Sequence, residues 1–302
     1  MPIFVKEPSY GGVAIEIEVE RLIVRRETPF QEVIIADTPG YGRALFLDGH
    51  VQSTAADEAM YHELLIHPAL VIHGAPRRVL IGGTGEGATL REVLRHPTIE
   101  SVVAVDVDAE VVALCREHLP GWSAGAFEDP RVESRTEDFM ATLAGSADGA
   151  WDVVIADLTD PVEEGPSLHL WSAPFFEQVR RVMAEDGILV VQSGEADPVD
   201  LSALRTVRST LASVFPHVRV LLAMVPSFHC LWAFTLASCA PIVAMPADLE
   251  ARIRRLTGLR VYSRIAHEAA LTIPPLLAEL LEEPGKVITG AEAMASLTLP
   301  SL

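Results

Sequence analysis

The stretch from Arg78 to Glu92, RVLIGGTGEGATLRE, constrains this chain more than any other. An apolar run, Val79-Leu80-Ile81, leads into glycines at 82, 83, 85 and 87, and a helix-permissive segment begins at Ala88. That order predicts a strand, a tight loop and a helix. Glycine takes the positive φ angles that such a turn demands, and bare backbone at Gly83 and Gly85 lets part of a nucleotide-like ligand approach closely.

Three readings of the loop stay open on these residues alone. Gly83-Thr84-Gly85-Glu86-Gly87-Ala88 fits the GxGxG of a methyltransferase-type fold, the GxGxxA of a dinucleotide site, or a plain structural turn. The chain has 302 residues, nearly half of them hydrophobic, enough for one large globular domain or two modest ones. Acidic residues outnumber basic ones by 42 to 23, a formal net charge of −19. That balance disfavours nucleic acid or an anionic membrane as partner, since both are bound by basic patches. Small cations are the natural alternative, although excess acid also serves solubility. The cysteines, Cys115, Cys230 and Cys239, are odd in number and form no metal-ligand pattern, so a reducing cytoplasm is expected. Neither a leader nor a membrane span is legible.

Taken in order, residues 13 to 54 read as short strands separated by TPGYG and DG turn signals, a small antiparallel β unit. From Asp57 the apolar spacing becomes helical, and a helix there would carry Tyr61, His62 and Glu63 towards the glycine loop. The division expected is residues 1–74, a β-strand domain with a linking helix, and 75–302, a Rossmann-like catalytic domain with a C-terminal extension. In the larger part helix-like and strand-like segments alternate, which indicates α/β architecture with a doubly wound parallel sheet and crossover helices. One helix is expected from about Ala173 to Ala184, another over residues 200 to 214. Such a sheet places its ligands outside the carboxyl ends of its strands, where Gly83, Asp106, Asp138, Asp157 and Gln192 all fall.

Asp106 stands about twenty residues beyond the loop, where a carboxylate accepts hydrogen bonds from both ribose hydroxyls. The competing reading is that Asp106 or Asp108 caps the helix beginning near Ala109. Asp138 follows a strand too, and suits an adenine amino group. Asp157-Leu158-Thr159-Asp160-Pro161 puts two carboxylates at the end of a buried strand. A nucleophilic amine must lose its proton before attack, while other amines on the same substrate stay charged and need anionic partners. Two aspartates can divide those tasks; the alternative is a capped turn before Pro161. The segment VEEGPSLHLW that follows is placed where a lid would close.

With these residues in view, the sequence resembles the aminopropyltransferases, the family that includes spermidine, spermine and thermospermine synthases. The resemblance is carried by FQEVII with Gln31, LFLDGHVQSTAADEAMYHE, GGTGEGATLREVLRH, VDVD, DLTDP followed by EEGP, VVQSG, and LRVYSRIAHEAALTIPPLL. It covers roughly residues 13 to 280. Glu86, where spermidine synthases commonly have Asp, and Leu158, where they commonly have Ser, look more like the thermospermine synthase branch, and HELLIHPAL points the same way.

The resemblance implies transfer of an aminopropyl group from decarboxylated S-adenosylmethionine, a co-substrate, to an amine acceptor such as spermidine. It implies release of methylthioadenosine and a proton, with no metal or other cofactor. A spermidine synthase acting on putrescine and a methyltransferase using intact S-adenosylmethionine are the alternatives. Glu86 separates the last of these, because a carboxylate there repels the donor's own carboxylate.

On this likeness Gln31 and His62 contact the donor, beside Gly83 and Gly85, and Glu86 pairs with the ammonium of its aminopropyl arm. Asp106 holds the ribose and Asp138 the adenine, while Asp157 orients and deprotonates the attacking amine. Tyr61, Asp160, Gln192 and Phe228 line the acceptor channel. Phe228 replaces a tyrosine common in the family, with loss of a hydroxyl, and Thr84 replaces a loop glycine. A homodimer or homotetramer is expected, with the β unit as the contact. The chain after about Gly285 has no sequence reading.

Overall fold

A computed structural model describes residues 3–8, 14–159 and 168–290. The N-terminal unit holds two antiparallel sheets. In one, β1 (Ile3–Pro8) pairs with β2 (Ala14–Val19); the other runs in the order β3 (Arg21–Glu27), β4 (Glu32–Thr38), β5 (Gly42–Leu47), β6 (His50–Thr54). A break at Glu20 separates β2 from β3 and sends them to different sheets. β4 and β5 are buried on both faces. Ile34, Ala36, Ala44 and Phe46 pack on Ile17 and Val19 of β2, whereas Val33, Ile35, Leu45 and Leu47 pack towards Val111, Cys115 and Trp122 of the larger unit. Residues of opposite parity face opposite sides of a strand, so this second set joins the two units by an apolar seam.

α1 (Glu58–His73) follows at once and is buried over nearly its whole length, with Pro68 inside it. It packs among the large sheet, the loop helix and the C-terminal helices, so an all-round apolar surface replaces a single stripe. The helix turns by about 100° per residue, so Tyr61, His62 and Glu63 do not all face the glycine loop as expected. Tyr61 and His62 do. Glu63 points to the C-terminal segment instead, where its carboxylate accepts the backbone N–H groups of Arg260, Val261 and Tyr262 at 2.8, 2.9 and 2.6 Å.

The larger unit alternates as the sequence indicates: β7 (Arg78–Gly82), α2 (Ala88–Leu94), β8 (Ser101–Asp106), α3 (Ala109–His118), α4 (Pro120–Ser123), β9 (Val132–Thr136), α5 (Phe139–Gly145) and β10 (Trp151–Ala156). Then come α6 (Ala173–Val182), β11 (Met183–Glu195), α7 (Ser202–Val214), β12 (His217–Val225), β13 (Cys230–Ser238), α8 (Leu249–Ile253), α9 (Arg264–Leu271) and α10 (Pro275–Leu280). The sheet order is β12-β13-β11-β10-β7-β8-β9. Its parallel character needs one correction: β13 runs antiparallel to both β11 and β12. The short turn over Pro226–Phe228 leaves no room for a crossover, so β13 must reverse.

Alternate residues of the central strands serve two cores. Val79, Ile81, Val102, Val153 and Ile155 meet α1, α2 and α8; Leu80, Val103, Val154 and Ala156 meet the phenylalanines of α6 and Leu211 of α7. α6 begins at a Ser172 cap, whose hydroxyl accepts from Phe175 N, and ends at Val182, two residues before the expected Ala184. Past Gly285 the chain docks on α7: the N–H groups of Gly285 and Ile288 donate to Ser209 and Thr210, and Ile288 is fully buried. Among the described residues no helix is long and apolar enough to cross a membrane.

Candidate active site

The glycine loop closes β7 with three left-handed glycines, Gly83, Gly85 and Gly87, at φ +82°, +42° and +80°. They answer to different constraints. A Cβ on Gly83 would drive into the backbone carbonyl of Asp157, so the neighbouring strand end by itself requires this glycine, which also borders the cavity described next. At Gly85 a Cβ would meet nothing, and this glycine opens onto a cavity of about 330 Å³ at the carboxyl ends of the strands. Thr84 is buried, has ordinary negative φ, and does not border the cavity. Its hydroxyl makes no hydrogen bond.

Seven carboxylates border this cavity among the described residues, Glu7, Glu86, Asp106, Glu137, Asp138, Asp157 and Glu195, and no lysine or arginine does. Burial raises the cost of ionising such groups together unless a cation shares the space. The wall is therefore suited to cations. Among the described residues no three or more His, Cys, Asp or Glu side chains are grouped to hold a metal ion.

Asp157 follows β10 directly and is held at both oxygens. Tyr61 donates its hydroxyl to Oδ1 at 2.7 Å, and Thr89, in the first turn of α2, donates to Oδ2 at 2.6 Å. Burial pushes its carboxyl above the usual range, against the opposing pull of the His62 charge and of the two hydroxyls. A carboxylate so placed is a better proton acceptor than one in water. Its partner in the sequence reading, Asp160, lies outside the described residues, as does most of the expected lid.

Across the cavity from α1, Glu86 meets His62, whose Nε2 stands 3.0 Å from Oε1. The other ring nitrogen donates to the carbonyl of Glu58 at 2.7 Å, with the Glu58 carboxylate 3.5 Å away. Burial alone would lower the pKa of His62. The carboxylates of Glu58, Glu86 and Asp157 outweigh it and raise the value to about 10.

Asp106 ends β8 and shapes the loop: Oδ2 accepts from the N–H of Thr84 at 3.0 Å and of Gly85 at 2.9 Å, and Oδ1 from Asp108 N at 2.9 Å. The cap on α3 is Asp108, which accepts from Glu110 N and Val111 N. Asp108 also takes the hydroxyl of Thr28 and the amide of Gln31, at 2.6 and 3.3 Å, which fixes Gln31 at the cavity edge. Asp138 borders the cavity while capping α5 through Met140 N. Gln192 donates to the Leu158 carbonyl at 2.9 Å and accepts from Gly194 N at 3.0 Å.

The far wall is aromatic. Phe228 sits between Tyr61 and Trp232, with ring centroids 5.7 and 4.8 Å away. Its turn is anchored to the start of α1, because Asp57 accepts from the backbone and hydroxyl of Ser227 at 2.7 and 3.1 Å. The structure thus brings Gln31, Tyr61, His62, Gly83, Gly85, Glu86, Asp106, Asp138, Asp157, Gln192 and Phe228 around one cavity. Sequence reasoning passed over Thr89, Glu7, Glu195 and Trp232. Thr89 lay within the motif, and only its contact with Asp157 gives it meaning; Glu7 arrives from β1, far away in sequence.

Known proteins resemble this chain in both sequence and fold. The family model described as spermine/spermidine synthase domain matches residues 58–245, and that described as spermidine synthase tetramerisation domain matches residues 3–55. The polyamine aminopropyltransferase of Synechococcus sp. (strain JA-2-3B'a(2-13)) is 46% identical over 232 residues, which span 76% of this chain and 74% of that one. That of Moorella thermoacetica is 37% identical over 283 residues, 93% of this chain and 97% of its own. A crystal structure of spermidine synthase in complex with the transition state analogue AdoDATO superposes with a TM-score of 0.85 at 28% identity, covering 93% of this chain and 97% of that one. The spermidine synthase of Thermotoga maritima gives 0.84 at 29%, with 93% and 96% covered.

Proposed function

This chain belongs to the spermine/spermidine synthase family, and from that premise we propose that it moves the aminopropyl group of decarboxylated S-adenosylmethionine to a polyamine, with spermidine as acceptor and thermospermine or spermine as product. The observation that carries the reading is Asp157, a half-buried carboxylate of raised proton affinity, held by Tyr61 and Thr89 on a cavity that no lysine or arginine borders among the described residues. The attacking nitrogen gives its proton to Asp157 as the new C–N bond forms. The C–S bond breaks, and sulfur keeps the electron pair, so a sulfonium leaves as the neutral thioether methylthioadenosine. The cavity's task is alignment, because holding both reactants in line supplies much of the acceleration in such a displacement.

Glu86 pairs with the ammonium of the donor's arm, with His62 and Gln31 beside it, while Asp106 and Asp138 take the ribose and adenine. Tyr61, Gln192 and Phe228 border the acceptor, along with Asp160. A triamine with one neutral nitrogen keeps two charges, and the carboxylates of Glu7 and Glu195 border the same cavity. No further cofactor is required. Assembly as a homodimer or homotetramer through the N-terminal unit is in keeping with exposed Ile3, Phe4, Leu22 and Phe30 there, and a cytoplasmic location with the odd cysteine count.

The test is incubation of purified protein with decarboxylated S-adenosylmethionine and, separately, putrescine, spermidine and agmatine, with products resolved by chromatography. Turnover with spermidine is expected. Preference for putrescine overturns the acceptor assignment, and absence of methylthioadenosine with every amine overturns the reaction.

A further inference from the structure

Glu58 does not border the cavity, yet it is a carboxylate only 6% exposed and is surrounded by charge. Arg91 of α2 donates to it at 2.7 Å, and Arg260 of the C-terminal segment at 3.0 Å. Its remaining neighbour is His62, one helical turn on. Both ring nitrogens of His62 face acceptors: Nδ1 the Glu58 carbonyl and carboxylate, Nε2 the Glu86 carboxylate. A neutral imidazole has one N–H and would leave one of these contacts as acceptor against acceptor. The geometry therefore requires both nitrogens to be protonated.

We propose that Glu58 is a positioning residue that acts on the donor through His62: it holds this ring as an imidazolium, whose Nε2–H fixes Glu86 in place to receive the donor's aminopropyl ammonium. The proposal rests on the aminopropyltransferase reading. Groups facing His62 come from every element around it: Glu58 and the Tyr61 ring from α1, Glu86 from the loop and Asp157 from the end of β10. Glu58 supplies charge from the side away from the cavity. A carboxylate has about four lone-pair sites, so Glu86 keeps acceptor capacity for an ammonium after bonding His62. The low pKa of Glu58, about 2, fits the same picture: burial opposes ionisation, but His62 and Arg91 more than offset it.

One consequence is a link between the C-terminal segment and the donor site. Glu63 fixes the backbone of residues 260–262, and Arg260 from that segment reaches Glu58. The chain from there to the cavity is Arg260, Glu58, His62, Glu86.

Methylthioadenosine lacks both the aminopropyl arm and the sulfonium charge of decarboxylated S-adenosylmethionine, so the pair reports on the cationic part of the donor that Glu86 would receive. In calorimetry, Glu58→Gln is expected to weaken binding of the armed donor about tenfold, the scale of one charge-assisted hydrogen bond. Methylthioadenosine should stay within about twofold, and Glu58→Asp should recover part of the armed donor's affinity. In the wild-type protein, nitrogen-15 NMR of histidine should show His62 doubly protonated at pH 8.5. An equal loss for both ligands in Glu58→Gln overturns the proposal in favour of a structural role, and so does a wild-type His62 that is neutral at that pH, which needs no variant to observe. A wild-type protein that does not bind the armed donor overturns both this inference and the reaction assigned above. Normal binding by the wild type with no discrimination in Glu58→Gln overturns this inference alone.

Discussion

Tyr61 and Asp157, 96 positions apart, meet at 2.7 Å, hydroxyl to carboxylate, inside the cavity wall. The contact joins α1 to the end of β10, and with Thr89 on the other oxygen it leaves Asp157 little freedom to turn. Asp157 is thus aimed before any ligand arrives. Pre-organisation of this kind costs stability, because a carboxylate is held where burial disfavours its charge.

The first prediction follows from that cost. Asp157 has a folded-state pKa above its unfolded value, so the folded state holds the proton over a pH range in which the unfolded chain has lost it. Its favourable contribution is complete below the unfolded pKa of about 3.9 and is lost as pH rises through the folded value. Asp157→Asn should therefore raise Tm at pH 7, while lowering kcat by about 10²- to 10⁴-fold, the range of general-base catalysis. Thermal melts and steady-state kinetics check the two halves. A variant that melts lower and no longer binds donor would make Asp157 a structural residue.

Tyr61→Phe removes one of the two hydroxyls that aim Asp157 and keeps the ring contacts with Phe228 and Phe234, at 5.7 and 5.1 Å. Turnover should fall by about tenfold, as for one lost hydrogen bond to a charged group, with donor affinity unchanged. Single-turnover measurements separate the chemical step from binding.

How far this site was legible depends on what kind of signal each residue carries. The strand–loop–helix around Gly83 and the carboxylates at strand ends follow from periodicity and spacing, which are local properties of sequence. The reason for Gly83 was not legible, because it is a backbone contact with Asp157 across the sheet. Glu63 faces the C-terminal segment although its sequence neighbours face the loop, because adjacent helix positions point about 100° apart. The reversal of β13 was concealed because an apolar run reads alike in either direction. Glu58 stood at i,i+4 spacing from His62 in plain view, but its two arginines come from α2 and the C-terminal segment.

The loop glycines give a paired prediction. Gly83→Ala meets both a left-handed φ and the Asp157 carbonyl, and should cost several kcal/mol or abolish folding. Gly85→Ala meets a left-handed φ of +42° alone, at about 1 kcal/mol, and places its methyl towards open space. It should fold, with a raised KM for the donor and a smaller change in kcat. Chemical denaturation and donor titrations distinguish the two. Equal stability loss at both positions would show that the constraint at Gly83 is conformational only.

Stability in acid should report a different buried carboxylate. Glu92, fully buried, faces His67 at 3.1 Å and Arg91 and Arg95 at 2.6 Å each. Burial would raise its pKa, but His67 and Arg91 outweigh that and lower it to about 2. The sign is opposite to that of Asp157. A depressed pKa gives stability that is present above the unfolded value of about 4.3 and is lost as pH falls towards 2. Glu92→Gln should destabilise the protein by about 3–5 kcal/mol at pH 7, since it removes the buried carboxylate that the half-buried Arg91 and Arg95 both face. The deficit relative to wild type should shrink between pH 4.5 and 2.5 in denaturant titrations, and a deficit that stayed constant over that range would exclude an ionised Glu92.

Phe228 offers the last test, on acceptor choice. Its ring packs edge-on against Tyr61 and Trp232, and its turn is pinned to Asp57 through Ser227, so the wall is fixed in position. Phe228→Tyr adds a hydroxyl with little change in shape. If that hydroxyl reaches the acceptor amine, one neutral hydrogen bond, about 1 kcal/mol, should lower the acceptor KM roughly fivefold. Donor KM should stay constant, because Glu86 and Asp106 stand on the loop and β8 rather than on this wall. Measuring kcat/KM for putrescine and spermidine in both proteins decides the matter: a gain for one amine assigns Phe228 to acceptor selection. An equal loss for both amines would mean that the hydroxyl only crowds a packed wall.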